Sequence, residues 1–280
     1  GMFRSISAII IQQLCNEYKI KFYMVFNSLI KGRYSIYDSI YFNDIKLDHE
    51  YNLLLKDGIT NKIKDLVDNF IKQYHRFETE IHVPTEITRS KSKRKTLNII
   101  RNYFFKRRLN INDSKIWNPT SGKPNILFLL TQPNHWYTSY ANPNLINRKY
   151  VAESIWLSMP TEFNLVIKAH PRRFNETEIQ KFVNSTPNTF LFYDEYSTID
   201  LIKESTVIIG YGSSAIILPL LQKKHFIDIG EISSYFNLNN PPIQRAPQLS
   251  DLRDIINKCL TIDPPHDNIY IFLYSVLKNS

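Results

Sequence analysis

The sequence predicts an α/β protein whose C-terminal part is a parallel sheet with helices on both faces, joined to a smaller or incomplete N-terminal α/β part. Three observations point there. From about residue 124 onward, apolar runs of about five to seven residues alternate with helical patterns, and continuous apolar strands between helices mark a sheet buried on both sides. Hydrophobic residues make up 43% of the 280 positions, enough for a real core. Seven glycines are too few for a glycine-rich repeat fold built on many left-handed turns.

The elements follow in order. A helical pattern over 6–18 opens the chain, then IKFYMVF over 20–26 reads as a strand, 36–42 as a second, and 59–74 as a helix. No strand precedes the first helix. The first strand of a doubly wound domain and its loop usually carry part of a ligand site. The N-terminal part is therefore expected to be reduced, or the chain to begin inside such a unit. NPTSGKP over 118–124 marks the boundary, dividing an N-terminal part (1–120) from a Rossmann-like domain (121–280). In that domain NILFLLT (125–131), FNLVIKA (163–169), TFLFY (189–193), TVIIG (206–210) and HFIDI (225–229) read as strands. Helices are expected over 148–158, 176–183, 198–204, 213–222, 249–260 and 268–277.

Cys15 and Cys259 are the only cysteines and fall in different predicted parts. That argues for a reducing compartment and against a disulfide framework or thiolate metal site. No apolar run approaches the roughly 18–20 residues that span a bilayer, and no signal-peptide layout opens the chain, so a cytoplasmic location is expected. The formal charge is +9. Its excess concentrates in Arg89, Lys91, Lys93, Arg94, Lys95, Arg101, Lys106, Arg107 and Arg108, with no acid between them. The run reads either as a solvated linker and helix face or as a contact with an anionic acceptor or with anionic lipid headgroups at the inner membrane face. It matches no nucleic-acid recognition module, so no nucleic acid is expected.

Three segments fall where open α/β sheets bind ligands, at the C-terminal ends of predicted parallel strands. They are Thr131-Gln132-Pro133, then Lys168-Ala169-His170-Pro171-Arg172-Arg173, and Gly210-Tyr211-Gly212-Ser213-Ser214. In the last, Gly210 and Gly212 allow close backbone approach, and the Ser213 and Ser214 hydroxyls add donors beside the free N–H groups of a helix start. The same residues also read as a plain N-cap after a tight turn. The segment is neither a Walker loop nor a complete G-x-G-x-x-G, which weakens ATPase and simple dehydrogenase readings. His170 follows a buried strand, Pro171 stiffens the turn, and the imidazole with Arg172 and Arg173 can meet phosphate or ribose oxygens.

The series strand–QP, strand–KAHP and ESTVIIGYGSSAIILPLLQKK–HFIDIG resembles the C-terminal half of GT-B bacterial glycosyltransferases of surface polysaccharides. It is similar above all to the capsule Kdo-transferase and sialyltransferase-like groups, which use CMP-sugars. The resemblance covers about residues 124–262. It implies that His170 and Pro171 hold the nucleotide, that Ser213 and Ser214 hold its phosphate, and that Gln132-Pro133 is the group's Gln-Pro motif. It also implies a nucleotide-sugar substrate, a glycan or lipid-linked acceptor, and no cofactor. Teichoic-acid glycerophosphotransferases share the pattern.

An inverting transfer needs a carboxylate base on the acceptor hydroxyl, and these families carry it in an acidic-acidic-Gly motif. Lys56-Asp57-Gly58 is the nearest match, ahead of Asp44 and Asp48, although Asp57-Gly58 also reads as a turn before the helix at Ile59. The base is thus unassigned, with Asp57 its weak candidate. Glu231, after the fifth strand, is a candidate for sugar hydroxyls. His135 and Trp136 are candidates for stacking on a base or sugar, and Asp194-Glu195 for the ribose. The histidines show no metal-ligand spacing and no DxD-like pair occurs, so a metal-independent transfer is expected. An epimerase, a glycerophosphotransferase and a non-catalytic nucleotide-sugar-binding protein are the alternatives.

Overall fold

The computed structural model of the chain describes residues 6–27, 30, 34–37, 45–80, 122–132, 142–170, 176–193, 196–211, 216–230 and 242–279. The N-terminal part begins with helix α1 (Ile6–Glu17) and an antiparallel pair, β1 (Met24–Asn27) and β2 (Tyr34–Tyr37), in register Val25 to Ile36. Helices α2 (Ile45–Asp57) and α3 (Asn61–Glu80) follow. The sequence pattern anticipated α3 but not α2, whose charged residues are interleaved among its leucines.

The C-terminal part alternates strand and helix: β3 (Asn125–Leu129), α4 (Arg148–Ser158), β4 (Asn164–Lys168), α5 (Thr177–Ser185), β5 (Thr189–Phe192), α6 (Thr198–Lys203), β6 (Val207–Gly210), α7 (Ile217–Leu221) and β7 (His225–Ile229). A short edge strand β8 (Gln244–Ala246) and helices α8 (Leu252–Thr261) and α9 (His266–Lys278) complete it. The six strands are parallel in the order β5-β4-β3-β6-β7-β8. This is the doubly wound order, reversing between β3 and β6.

Period-two alternation sorts the strand side chains onto two faces. Ile126, Phe128, Leu165, Ile167, Val207, Ile209, Ile227 and Ile229 pack under α4, α5 and α8. Leu127, Leu129, Val166, Ile208 and Phe226 face the opposite layer, where α6, α7 and α9 lie. That second core is continuous with Tyr51 and Leu54 of α2 and Val67 and Tyr74 of α3, because α9 packs along both helices. Burial of the strands on both sides explains why their sequences read as unbroken apolar runs.

Local signals set the helix ends. The Asn147 side chain accepts from the Tyr150 N–H to cap α4, and Ser197 does the same for Asp200 in α6. Gly58 ends α2 at φ +79°, its N–H donating to the Leu54 carbonyl. Asp57-Gly58 is therefore a helix-terminating turn.

Candidate functional site

In a doubly wound sheet the ligand crevice opens beyond the C-terminal strand ends, where the order reverses. Here that point lies between β3 and β6, whose following helices, α4 and α7, go to opposite faces. The β3 end leads to Thr131 and Gln132, and the β6 end to Gly210 and Tyr211. On the other side of β3, the β4 end leads to Lys168, Ala169 and His170. Backbone pairing runs to the last residue before these loops, with Leu130 N donating to the Lys168 carbonyl and Ala169 N to the Phe192 carbonyl. The fold thus brings the described residues of the three predicted segments to one edge. Pro133, Pro171, Arg172, Gly212, Ser213, Ser214 and Glu231 lie outside the described residues, as do Asp44, His135, Trp136, Arg173, Asp194, Glu195 and the basic run from Arg89 to Arg108.

Gln132 and His170 are half-buried at this edge. Lys168 is buried, with its Nζ donating to the Tyr196 carbonyl at 3.0 Å, which braces the start of α6. Gly210 has a packing reason to lack a side chain. A Cβ there would stand 3.1 Å from the Phe226 ring. Gly230, at φ +129°, turns the chain out of β7 in a conformation that favours glycine.

At the strand ends lies a polar cluster that linear spacing did not reveal. Arg148, first residue of α4, donates from Nη1 to Glu176 Oε1 at 2.7 Å and to the Thr131 carbonyl at 3.4 Å. Glu176 precedes α5 but makes no side-chain cap bond. Its side chain is fully buried, and Oε2 has no hydrogen-bond partner among the described residues. Burial raises the Glu176 carboxyl above its ordinary range, opposed by the hydrogen bond and charge of Arg148. Tyr211 is fully buried with its ring 5.9 Å from that of Phe128, and Thr131, Arg148 and Glu176 bear on its phenol. Burial pushes its phenol up to about 12, so it stays protonated at neutral pH.

Asp57 is set apart from this edge. The start of α9 lies at the N-terminal strand edge, because the His225 ring at the head of β7 bonds the Ile262 carbonyl just before it. Lys64 near the start of α3 pairs with Asp267 of α9 at 3.3 Å. The α2–α3 turn carrying Asp57 therefore lies toward the N-terminal edge, away from the strand-end loops. The turn was legible in the sequence; the distance from the crevice was not. Asp48 lies within α2. Among the described residues no cluster of three or more potential metal ligands occurs, and no helix is long and apolar enough to cross a membrane.

Among solved structures, the chain is similar to the β-Kdo 2,4-transferase KpsC of Thermosulfurimonas dismutans. The match has a TM-score of 0.51 at 12% identity, covering 97% of this chain and 77% of that one. The β-Kdo 2,7-transferase KpsC of the same organism matches with a TM-score of 0.44 at 13% identity, over 85% of this chain and 71% of that one. No family model matches the sequence, and no match is found among curated proteins. The first likeness shows the fold: a GT-B-like α/β chain with a six-stranded parallel sheet flanked by helices.

Proposed function

We propose that the chain transfers a sugar from a CMP-activated donor to a glycan or lipid-linked acceptor in surface polysaccharide (capsule or lipopolysaccharide) biosynthesis, without a metal ion. The observation that carries this reading is the convergence of the Gln132, His170 and Gly210–Tyr211 strand ends on the switch-point edge. The similarity in fold to a Kdo transferase supports the polysaccharide class. In the proposed reaction the acceptor hydroxyl oxygen attacks the anomeric carbon as the bond to phosphate breaks, and CMP departs with the electron pair. His170 and the Ser213-Ser214 hydroxyls steady the phosphate charge through hydrogen bonds. The acceptor proton goes to a carboxylate base.

Thermal-shift titration with CMP, CDP, UDP and GDP tests the reading. CMP is expected to raise the melting temperature, and His170→Ala to abolish the rise while leaving the unliganded melt unchanged. A flat response to all four nucleotides overturns it. The placement of Asp57 favours a second reading, a nucleotide-sugar-binding protein without transferase activity; CMP binding with no product from any acceptor mixture would select it. Within this proposal the run from Arg89 to Arg108 makes a peripheral contact with anionic lipid. Cosedimentation with anionic vesicles that weakens as salt rises checks that contact.

A further inference from the structure

We propose that Arg148, Glu176 and Tyr211 are positioning residues, forming a buried polar hub that couples the bases of the three strand-end loops and sets their spacing around the switch-point crevice. Each member stands where a different loop begins or ends. Arg148 ends the excursion that leaves β3, and its guanidinium reaches back to the Thr131 carbonyl, next to Gln132. Glu176 ends the excursion that leaves β4 through His170, and it holds Arg148 at 2.7 Å. Tyr211 begins the loop that leaves β6, fully buried with its ring 5.9 Å from that of Phe128 in β3, and Thr131, Arg148 and Glu176 all bear on its phenol. One guanidinium thus links the β3 and β4 loops directly, and Tyr211 brings in the third.

The burial makes the arrangement restrictive. The Arg148 side chain is 13% exposed and that of Glu176 is 0% exposed, so both charges are held away from water. A desolvated pair tolerates little displacement, since either charge left alone carries a large penalty. The hub therefore transmits the position of one loop to the others through contacts that have no slack. It differs from Lys149–Glu153 on the exposed side of α4, at 3.2 Å and more than a third exposed on both partners, which reports only on its own helix.

This inference rests on the proposed site for its ligand but not for its geometry, and the test separates the two. Hydrogen exchange is measured on the full chain carrying Arg148→Met with Glu176→Leu, which removes both charges together, and on Tyr211→Phe. Replacing both partners of a buried pair is compatible with folding, so the double variant is expected to melt within about 5 °C of wild type. The amides of Gln132, His170 and Tyr211 are expected to exchange about tenfold faster together, while those of Ile126, Leu165 and Ile208 in the strands keep their protection. Tyr211→Phe is expected to accelerate Gln132 and Tyr211 alone. Arg148→Lys, which keeps a cation opposite Glu176, is expected to return the three amides toward wild-type rates. Unchanged exchange at Gln132, His170 and Tyr211, or a change confined to the ends of α4 and α5, overturns the hub, as does an Arg148→Lys chain that exchanges like the double variant. CMP affinity in the double variant is expected to fall about tenfold or more, because misplaced contact groups lose the preorganisation that binding exploits. If the wild-type chain binds no nucleotide, the donor reading fails while the exchange pattern still decides the hub.

Discussion

The two edges of the C-terminal sheet use similar polar residues to opposite ends. At the N-terminal edge the polar side chains close on one another or on backbone carbonyls. Asn164 Nδ2 donates to Asn125 Oδ1 at 3.0 Å, and Asn125 Nδ2 to the Glu204 carbonyl at 2.9 Å. Lys224 Nζ donates to the carbonyls of Lys203 and Ser205. At the C-terminal edge the described polar groups gather at the strand ends, with His170 half-buried and Arg148 paired with Glu176. A parallel sheet carries its helix starts and loop excursions on the C-terminal side, so the same residue types serve closure at one end and positioning at the other.

The contrast can be broken most forcefully at Glu176. Glu176→Leu alone leaves the Arg148 guanidinium buried without its carboxylate, and a loss of about 3–5 kcal/mol is expected in chemical denaturation. A wild-type midpoint would show that the pair carries no tension between the loops. Next in size is Asn125→Leu at the opposite edge, which strips partners from the Asn164 amide and the Glu204 carbonyl. It is expected to cost about 1–3 kcal/mol without altering the thermal response to CMP. Loss of that response would mean that the two edges are not independent. Smaller again is Gly210→Ala. Its methyl would meet the Phe226 ring at 3.1 Å, and since a ring edge can shift by tenths of an ångström, a cost of about 1 kcal/mol is expected.

How much of this was legible follows burial and locality. Asn125–Leu129 and His225–Ile229 stand out in the sequence because both faces of each strand are buried, which forces unbroken apolar runs. Helix Arg148–Ser158 appears at its expected bounds because its cap and its apolar spacing agree. Strand Gln244–Ala246 passes unseen. As the sheet edge it has one neighbour, β7, and it carries Gln and Arg where a central strand would carry Ile. The strand-end segments were legible because each directly follows an apolar run. Arg148 and Glu176 were not, since they read as helix starts, and no spacing rule joins residues that meet only through the crossover from β3 to β4. Which edge the Asp57 turn faces was not legible either, because a local turn signal says nothing of it.

The smallest expected effect sharpens the comparison through two histidines. His170 sits half-buried at one edge, whereas His225 at the other is 3% exposed. Its Nε2 lies 2.8 Å from the Ile262 carbonyl, and because a carbonyl only accepts, Nε2 carries the proton. Nδ1 is then the bare nitrogen, buried with no partner among the described residues. Protonating it would create a buried donor with nothing to receive it. Burial accordingly holds the His225 pKa below its usual 6.5, with His266 adding to the lowering and the Ile262 carbonyl and Asp263 opposing it. The unfolded chain therefore takes up this proton first. The stability linked to His225 is present above about pH 6.5 and is lost as pH falls through the folded-state value, with a slope of at most about 1.4 kcal/mol per pH unit. Glu176 acts in the opposite sense, its raised carboxyl favouring the fold below its usual 4.5 and losing that contribution as pH rises through the folded value. Denaturation midpoints between pH 7 and 5 should thus fall more in the wild-type chain than in His225→Gln, which keeps an N–H for the Ile262 carbonyl but cannot titrate. Parallel falls in both chains would place the acid-sensitive group elsewhere and remove His225 from the closure of this edge.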